Sequence, residues 1–137
     1  MNICLNEYII GSNSTLNKDV KNFGKQHMFD DGEGCWNSDN GSPQSIVVGF
    51  KERVIVEGIE LSFQGGFVGT PMIVQSFENG EWKDCEKFYM DDSNAKQSVK
   101  FKEKVECEKL RIVFEASTDL FGRVTIYNLK FIGSKIN

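Results

Sequence analysis

Histidine and proline are scarce in this chain: it has one of the first and two of the second among 137 residues. Its four cysteines (Cys4, Cys35, Cys85 and Cys107) are dispersed with no CxxC pair, so structural zinc lacks its usual ligand spacing. Long apolar runs are also missing. None approaches the roughly 20 residues that a membrane-spanning helix requires. The start, Met1-Asn2-Ile3-Cys4-Leu5-Asn6-Glu7, has no basic patch followed by an apolar stretch, so no secretory signal is expected. A basic excess is lacking too, with 16 Lys and Arg against 20 Asp and Glu, a net charge of −4. That balance excludes general nucleic-acid binding and disfavours loose attachment to anionic membranes. The one local basic run, Lys96, Lys100, Lys102, Lys104 and Lys109, alternates with Glu103, Glu106 and Glu108 and reads as a mixed solvated surface. These absences lead us to expect reduced thiols and a cytoplasmic or nuclear setting.

What is present suits a compact β protein. The chain is 39% hydrophobic and 12% aromatic, with eleven Phe and thirteen Gly. At this length it is expected to form one domain over residues 1–137, burying about two-thirds of the surface of its unfolded chain. Period-two alternation recurs, as in Ile59, Leu61 and Phe63 and again in Leu110, Ile112 and Phe114. Two places change phase. Val54 and Val56 are even and Ile59 onward odd, across Glu57-Gly58. Val124 and Ile126 give way to Leu129 and Phe131 across Tyr127-Asn128. A one-residue slip would turn the core face outward, so each switch predicts a β-bulge. Glu78-Asn79-Gly80-Glu81 predicts a tight hairpin turn, and 37–43 and 91–94 read as loops. Residues 15–23 carry the one helical hint. Seven or eight short strands predict an all-β sandwich or jelly roll.

The search for chemistry finds little. Any nucleophile–histidine arrangement has only His27, which lies among aromatics and reads as a packing residue. Gly65, Gly66 and Gly69 imitate a phosphate cradle, but no helix follows them to supply an anion site. The acid pairs Asp30-Asp31 and Asp91-Asp92 read as solvated surface. The stretch Asp30-Asp31-Gly32-Glu33-Gly34 could wrap Ca²⁺ but does not fit the EF-hand pattern. We expect no enzyme and no required cofactor.

FDDGEGCWNSDNGSPQSIVVGF (29–50) resembles the opening of a discoidin, or coagulation-factor type C, domain, and 123–133 resembles its closing strand. FGKQHMFDDGEGCWNSDNG (23–41), FQGGF (63–67), FYMDDSNA (88–95) and FEASTDLFGRVTIYNL (114–129) resemble, in that order, the small intracellular orphan-nuclear-receptor-associated repressors. The resemblance covers nearly the whole chain, least in 68–87. It implies a galactose-binding-domain-like jelly-roll β-sandwich of about eight antiparallel strands, without activity of its own, whose ligands meet loops 36–44, 64–70 and 117–123. It also implies a structural Ca²⁺ held by Asp30 or Asp31 with Asn128 near the last strand. Gly34 stands where a hydroxyl is expected and Asn128 is not an acid, two departures from that pattern.

The candidate binding residues are Trp36, Asn37, Ser38, Gln64, Gly66, Phe67, Phe121 and Arg123. Trp36 serves as an inward anchor or as a stacking platform, and the anchor is favoured. Asn37 and Ser38 bind a partner or cap their turn. Phe67 and Phe121 touch a partner or fold back on the sandwich. Arg123 grips a carboxylate on a partner or on a neighbouring loop such as Asp39. The expected role is a protein-interaction adaptor, with a carbohydrate-binding module as the alternative.

Overall fold

The computed structural model describes residues 3–4, 8–12 and 35–136. The helical hint at 15–23, His27, Asp30 and Asp31 lie outside the described residues. Eight strands are present: β1 (Ile3–Cys4), β2 (Tyr8–Ser12), β3 (Trp36–Asn37), β4 (Gln44–Phe63), β5 (Met72–Glu78), β6 (Glu81–Phe88), β7 (Gln97–Phe114) and β8 (Thr125–Lys135). All pairings are antiparallel, and no helix occurs among the described residues.

Two long strands build both layers of a sandwich. Residues 44–49 of β4 pair with 109–114 of β7, flanked by β2 on one side and by β5 and β6 on the other. Residues 54–61 of β4 pair with 97–107 of β7, with β8 on the far side carrying β1 and β3. Between them the β4–β7 register breaks from Gly49 to Val54, where Lys51, Glu52 and Arg53 are exposed. Three consecutive charged side chains cannot occupy an inner face, so the break falls where the strand passes from one layer to the other.

The interior is closed by aromatic pairs from opposite layers. Phe50 meets Phe131 edge-on at 5.7 Å and Phe63 meets Phe114 at 5.9 Å. Such pairs contribute about 0.5–1.5 kcal/mol each beyond their area burial. Trp36, Ile46, Leu61, Leu110, Ile112 and Ile126 fill the space between them with no solvent exposure. Both expected bulges are present: the register of β4 shifts between Val56 and Gly58, and between Ser62 and Phe63 opposite Tyr127. Asn79 (φ 51°) and Gly80 (φ 80°) form the two-residue turn between β5 and β6, the left-handed pair that type I′ geometry requires.

Candidate functional site

One end of the sandwich is made by four loops sewn together through hydrogen bonds. The Ser38 N–H donates to the Val124 carbonyl at 2.9 Å, and the Val124 N–H donates back to Ser38 Oγ at 2.8 Å. The Gly41 N–H donates to the Phe121 carbonyl at 2.7 Å, tying loop 36–44 to loop 117–123. Loop 64–70 joins them through Gln64 N–H to the Thr125 carbonyl (3.0 Å) and Thr125 N–H to the Phe67 carbonyl (3.1 Å). The fourth loop is 90–95. Asn94 Oδ1 and Asp92 Oδ1 accept from the Gly65 and Gly66 N–H groups, each at 2.7 Å. Gln44, almost fully buried, donates from its amide to the carbonyls of Asp39 and Gly41 and holds the first loop shut.

The centre of this end is Arg123. Its Nε donates to Asp119 Oδ2 at 2.8 Å and its Nη2 to Asp119 Oδ1 at 3.1 Å, a two-pronged grip. The guanidinium lies 5.1 Å from the Phe67 ring centre and 5.5 Å from that of Phe121, braced between two aromatics. The hydrogen bond from Arg123 holds the Asp119 carboxyl below the usual carboxylate range, and the Asp119 carboxylate raises the guanidinium in return. Asp119 also accepts the Phe121 and Arg123 N–H groups, so one carboxylate shapes the whole turn. Out of that turn project Leu120, 90% exposed, and Phe121, 59% exposed. Beside them a cavity of about 320 Å³ is walled by Gly41, Ser42, Ala116, Ser117 and Gly122.

The loops at 36–44, 64–70 and 117–123 thus meet, as the resemblance implied, but several candidate side chains play other parts. Trp36 has no exposure and Ser38 only 1%, so neither can meet a ligand from solvent: one is core and the other locks Val124. Asn37 spends its amide inward, accepting from Thr125 Oγ1 at 2.6 Å and donating to Cys35 Sγ at 3.1 Å. Gln64 accepts from the Tyr127 hydroxyl at 3.3 Å. Gly66 and Phe121 face solvent, while Phe67 is half-buried against Arg123. The carboxylate gripped by Arg123 is Asp119 in its own loop rather than Asp39, because a turn brings residues four apart into direct reach. Asn128 is half-buried on β8, opposite Ser62. Among the described residues no group of three or more His, Cys, Asp or Glu could hold a metal ion. Sequence reasoning missed Asp119 and Leu120. The only signal for them was an Asp and an Arg four apart across a glycine.

A larger cavity, about 550 Å³, lies elsewhere, between β6 and the first half of β7. It is lined mainly by charges of both signs, and Arg53 bonds Glu106 across its rim at 2.9 Å. It reads as a solvated groove, since charged side chains of both signs outnumber its two apolar ones, Phe101 and Val105, and give no field of one sign.

This β-sandwich, with its loops gathered and braced at one end, has the fold of the discoidin, or galactose-binding-like, domains. The family 32 carbohydrate-binding module of NanJ from C. perfringens, solved with galactose, matches with a TM-score of 0.81 at 16% identity, covering 96% of this chain and 99% of that one. The F5/8 type C domain of a Bacteroides fragilis protein matches with a TM-score of 0.84 at 9% identity, covering 98% of each. At such identities the likeness concerns the fold alone. No family model matches the chain.

Sequence relatives narrow the class. The nuclear receptor 2C2-associated protein of Xenopus laevis is 46% identical over 122 residues, covering 88% of this chain and 89% of that protein. The Danio rerio protein of the same name is 43% identical over 124 residues, covering 89% and 88%. The chain belongs to the nuclear receptor 2C2-associated protein family.

Proposed function

We propose that the chain is a non-catalytic protein-association module of the cytoplasm or nucleus, and that Leu120 and Phe121 at the loop end hold its partner. The observation that carries this reading is the braced arginine: Asp119 and Phe67 fix Arg123, and Arg123 in turn holds the Phe121 ring beside exposed Leu120. Rigid aromatic anchors lose little freedom on binding and are enriched among residues that dominate protein interfaces. The relatives are named for association with a nuclear receptor, which supports a protein partner and makes a receptor of that class the first to test. The calcium expectation depends on Asp30 and Asp31, outside the described residues, and the reading does not use the ion.

Carbohydrate binding is the second reading, favoured by a structural neighbour solved with galactose. A sugar needs an aromatic platform beside free planar polar groups. Here Trp36 is enclosed, both ends of the Asn37 amide and the oxygen of the Gln64 amide are engaged, and Arg123 lies over the Phe67 ring. These features weigh toward protein.

The test is biolayer interferometry with purified receptor 2C2, comparing wild type with the Leu120→Ser/Phe121→Ser double variant, alongside titration with galactose. Receptor binding that the double variant loses supports the reading. Galactose binding that the double variant loses, with no receptor binding, overturns it in favour of the sugar.

A further inference from the structure

We infer that the partner segment seated at this loop end is a peptide stretch carrying one large apolar side chain flanked by lysines or arginines. This rests on the loop end being a protein-binding face, and it goes further by stating the chemistry of what binds. Leu120 and Phe121 stand proud of the surface and, with Asp119, line a cavity whose other walls are glycine, alanine and serine. Small walls next to two exposed apolar side chains leave room for one inserted aliphatic or aromatic group, which would bury its own surface together with theirs. Burial of that kind contributes about 25 cal/mol per Å² of apolar surface removed from water.

Charge selects the flanks. Among the described residues, loops 64–70, 89–96 and 115–124 contain Asp91, Asp92, Glu115 and Asp119 against only Lys96 and Arg123. The cations are already committed: Arg123 to Asp119, Lys96 to Glu60 at 3.9 Å, and Lys87 of β6 to Glu115 at 3.2 Å. Asp91 and Asp92 are exposed, and no cation lies within 4 Å of either among the described residues. Asp92 Oδ1 lies 3.4 Å from the Thr118 hydroxyl, which places its charge next to the turn that presents Leu120 and Phe121. An acidic segment would meet uncompensated like charge here, whereas a basic one gains attraction and a faster encounter.

The experiment is selection of a displayed library of random linear peptides on the full wild-type chain. Recovered peptides are then measured by fluorescence anisotropy on wild type, Leu120→Ser/Phe121→Ser and Asp91→Asn/Asp92→Asn. The expected result is enrichment of an apolar residue flanked by Lys or Arg. Affinity should fall tenfold or more with the double serine variant, and about threefold with the double asparagine variant or with added salt. Peptides that need Leu120 and Phe121 but carry no basic flank, or are indifferent to Asp91 and Asp92, overturn this inference and leave the protein-binding face standing. Peptides that bind the double serine variant as well as wild type overturn the face itself, and this inference with it. Circular dichroism of each variant establishes that the sandwich is intact before affinities are compared.

Discussion

Arg123 and Asp119 face one another across a four-residue interval, joined at 2.8 and 3.1 Å, and that pair organises the end of the sandwich. The carboxylate accepts two backbone N–H groups as well, so the pair sets both the path of the turn and the position of the Phe121 ring. Arg123→Lys keeps the charge but loses the planar fork and the flat face that lies over two aromatics. We expect unchanged far-ultraviolet circular dichroism with weaker partner binding, measured by titration. Unchanged affinity would remove the brace from the binding account.

The same pair has a pH signature. Arg123 lowers the Asp119 carboxyl below its ordinary 3.8, so its stabilising contribution is complete above that value and is lost as pH falls through the lowered folded value. The stability difference between wild type and Asp119→Asn should therefore be flat at neutral pH and shrink only in strong acid. Denaturant midpoints of both proteins across that range test the sign. A gap that widened on acidification would contradict it.

Much of the fold was legible in the sequence because strand burial has period two and any slip must be visible. Glu57-Gly58 and Tyr127-Asn128 were found that way, and Asn79-Gly80 declared its turn through residues that tolerate positive φ. The crossing of β4 between layers at 50–53 was not read, although Lys51-Glu52-Arg53 held the signal. At the site, the three loops came from resemblance, and several of their candidate side chains turn inward. Trp36 is the inward anchor that the sequence favours, whereas the inward bonds of Ser38, Asn37 and Gln64 were not legible, because sequence cannot reveal polar partners far away in the chain, such as Val124, Thr125 and Tyr127. Asp92 and Asn94 are exposed, as expected, and what the sequence did not reveal is that their side chains accept from the Gly66 and Gly65 N–H groups, 26 and 29 residues away.

At Gly122 loop 117–123 packs tightly against Gly41 and Ser42 of loop 36–44. It has φ +79°, and a Cβ there would lie 2.6 Å from Ser42 Oγ and 2.8 Å from the Gly41 carbonyl carbon and oxygen. Gly122→Ala combines backbone strain with a clash against main chain. It should lower stability by about 1–3 kcal/mol and disturb the Phe121 turn. Gly41→Ala, with no atom within 4 Å of its added Cβ but φ +105°, isolates the strain contribution. Thermal melts of the two variants separate the effects, with Gly122→Ala expected to cost more.

Trp36 distinguishes core from ligand contact. It is fully enclosed and pairs through β3 with Ile126 of β8. Trp36→Ala should cost about 3–5 kcal/mol, as for other large core truncations. Trp36→Phe should retain most of the stability and leave partner affinity unchanged. A Phe variant that folds normally but loses its partner would reassign Trp36 to the binding surface.

Thiol reactivity reports on the packing of β7. Cys107 is only 1% exposed, and burial, with a smaller contribution from nearby Cys85, pushes its thiol up to about 12. At neutral pH almost none of it is the nucleophilic thiolate, and reagent access is blocked as well. Cys85 is exposed on β6. Burial also raises the Cys35 thiol, opposed by its hydrogen bond from Asn37, so Cys35 falls between the two. Among these three thiols, iodoacetamide at neutral pH should therefore alkylate Cys85 first, Cys35 more slowly, and Cys107 only when denaturant opens the sandwich. Peptide mapping by mass spectrometry over time reads the order. Early labelling of Cys107 in the absence of denaturant would mean that β7 opens locally far more easily than its enclosed neighbours Leu110 and Ile112 imply.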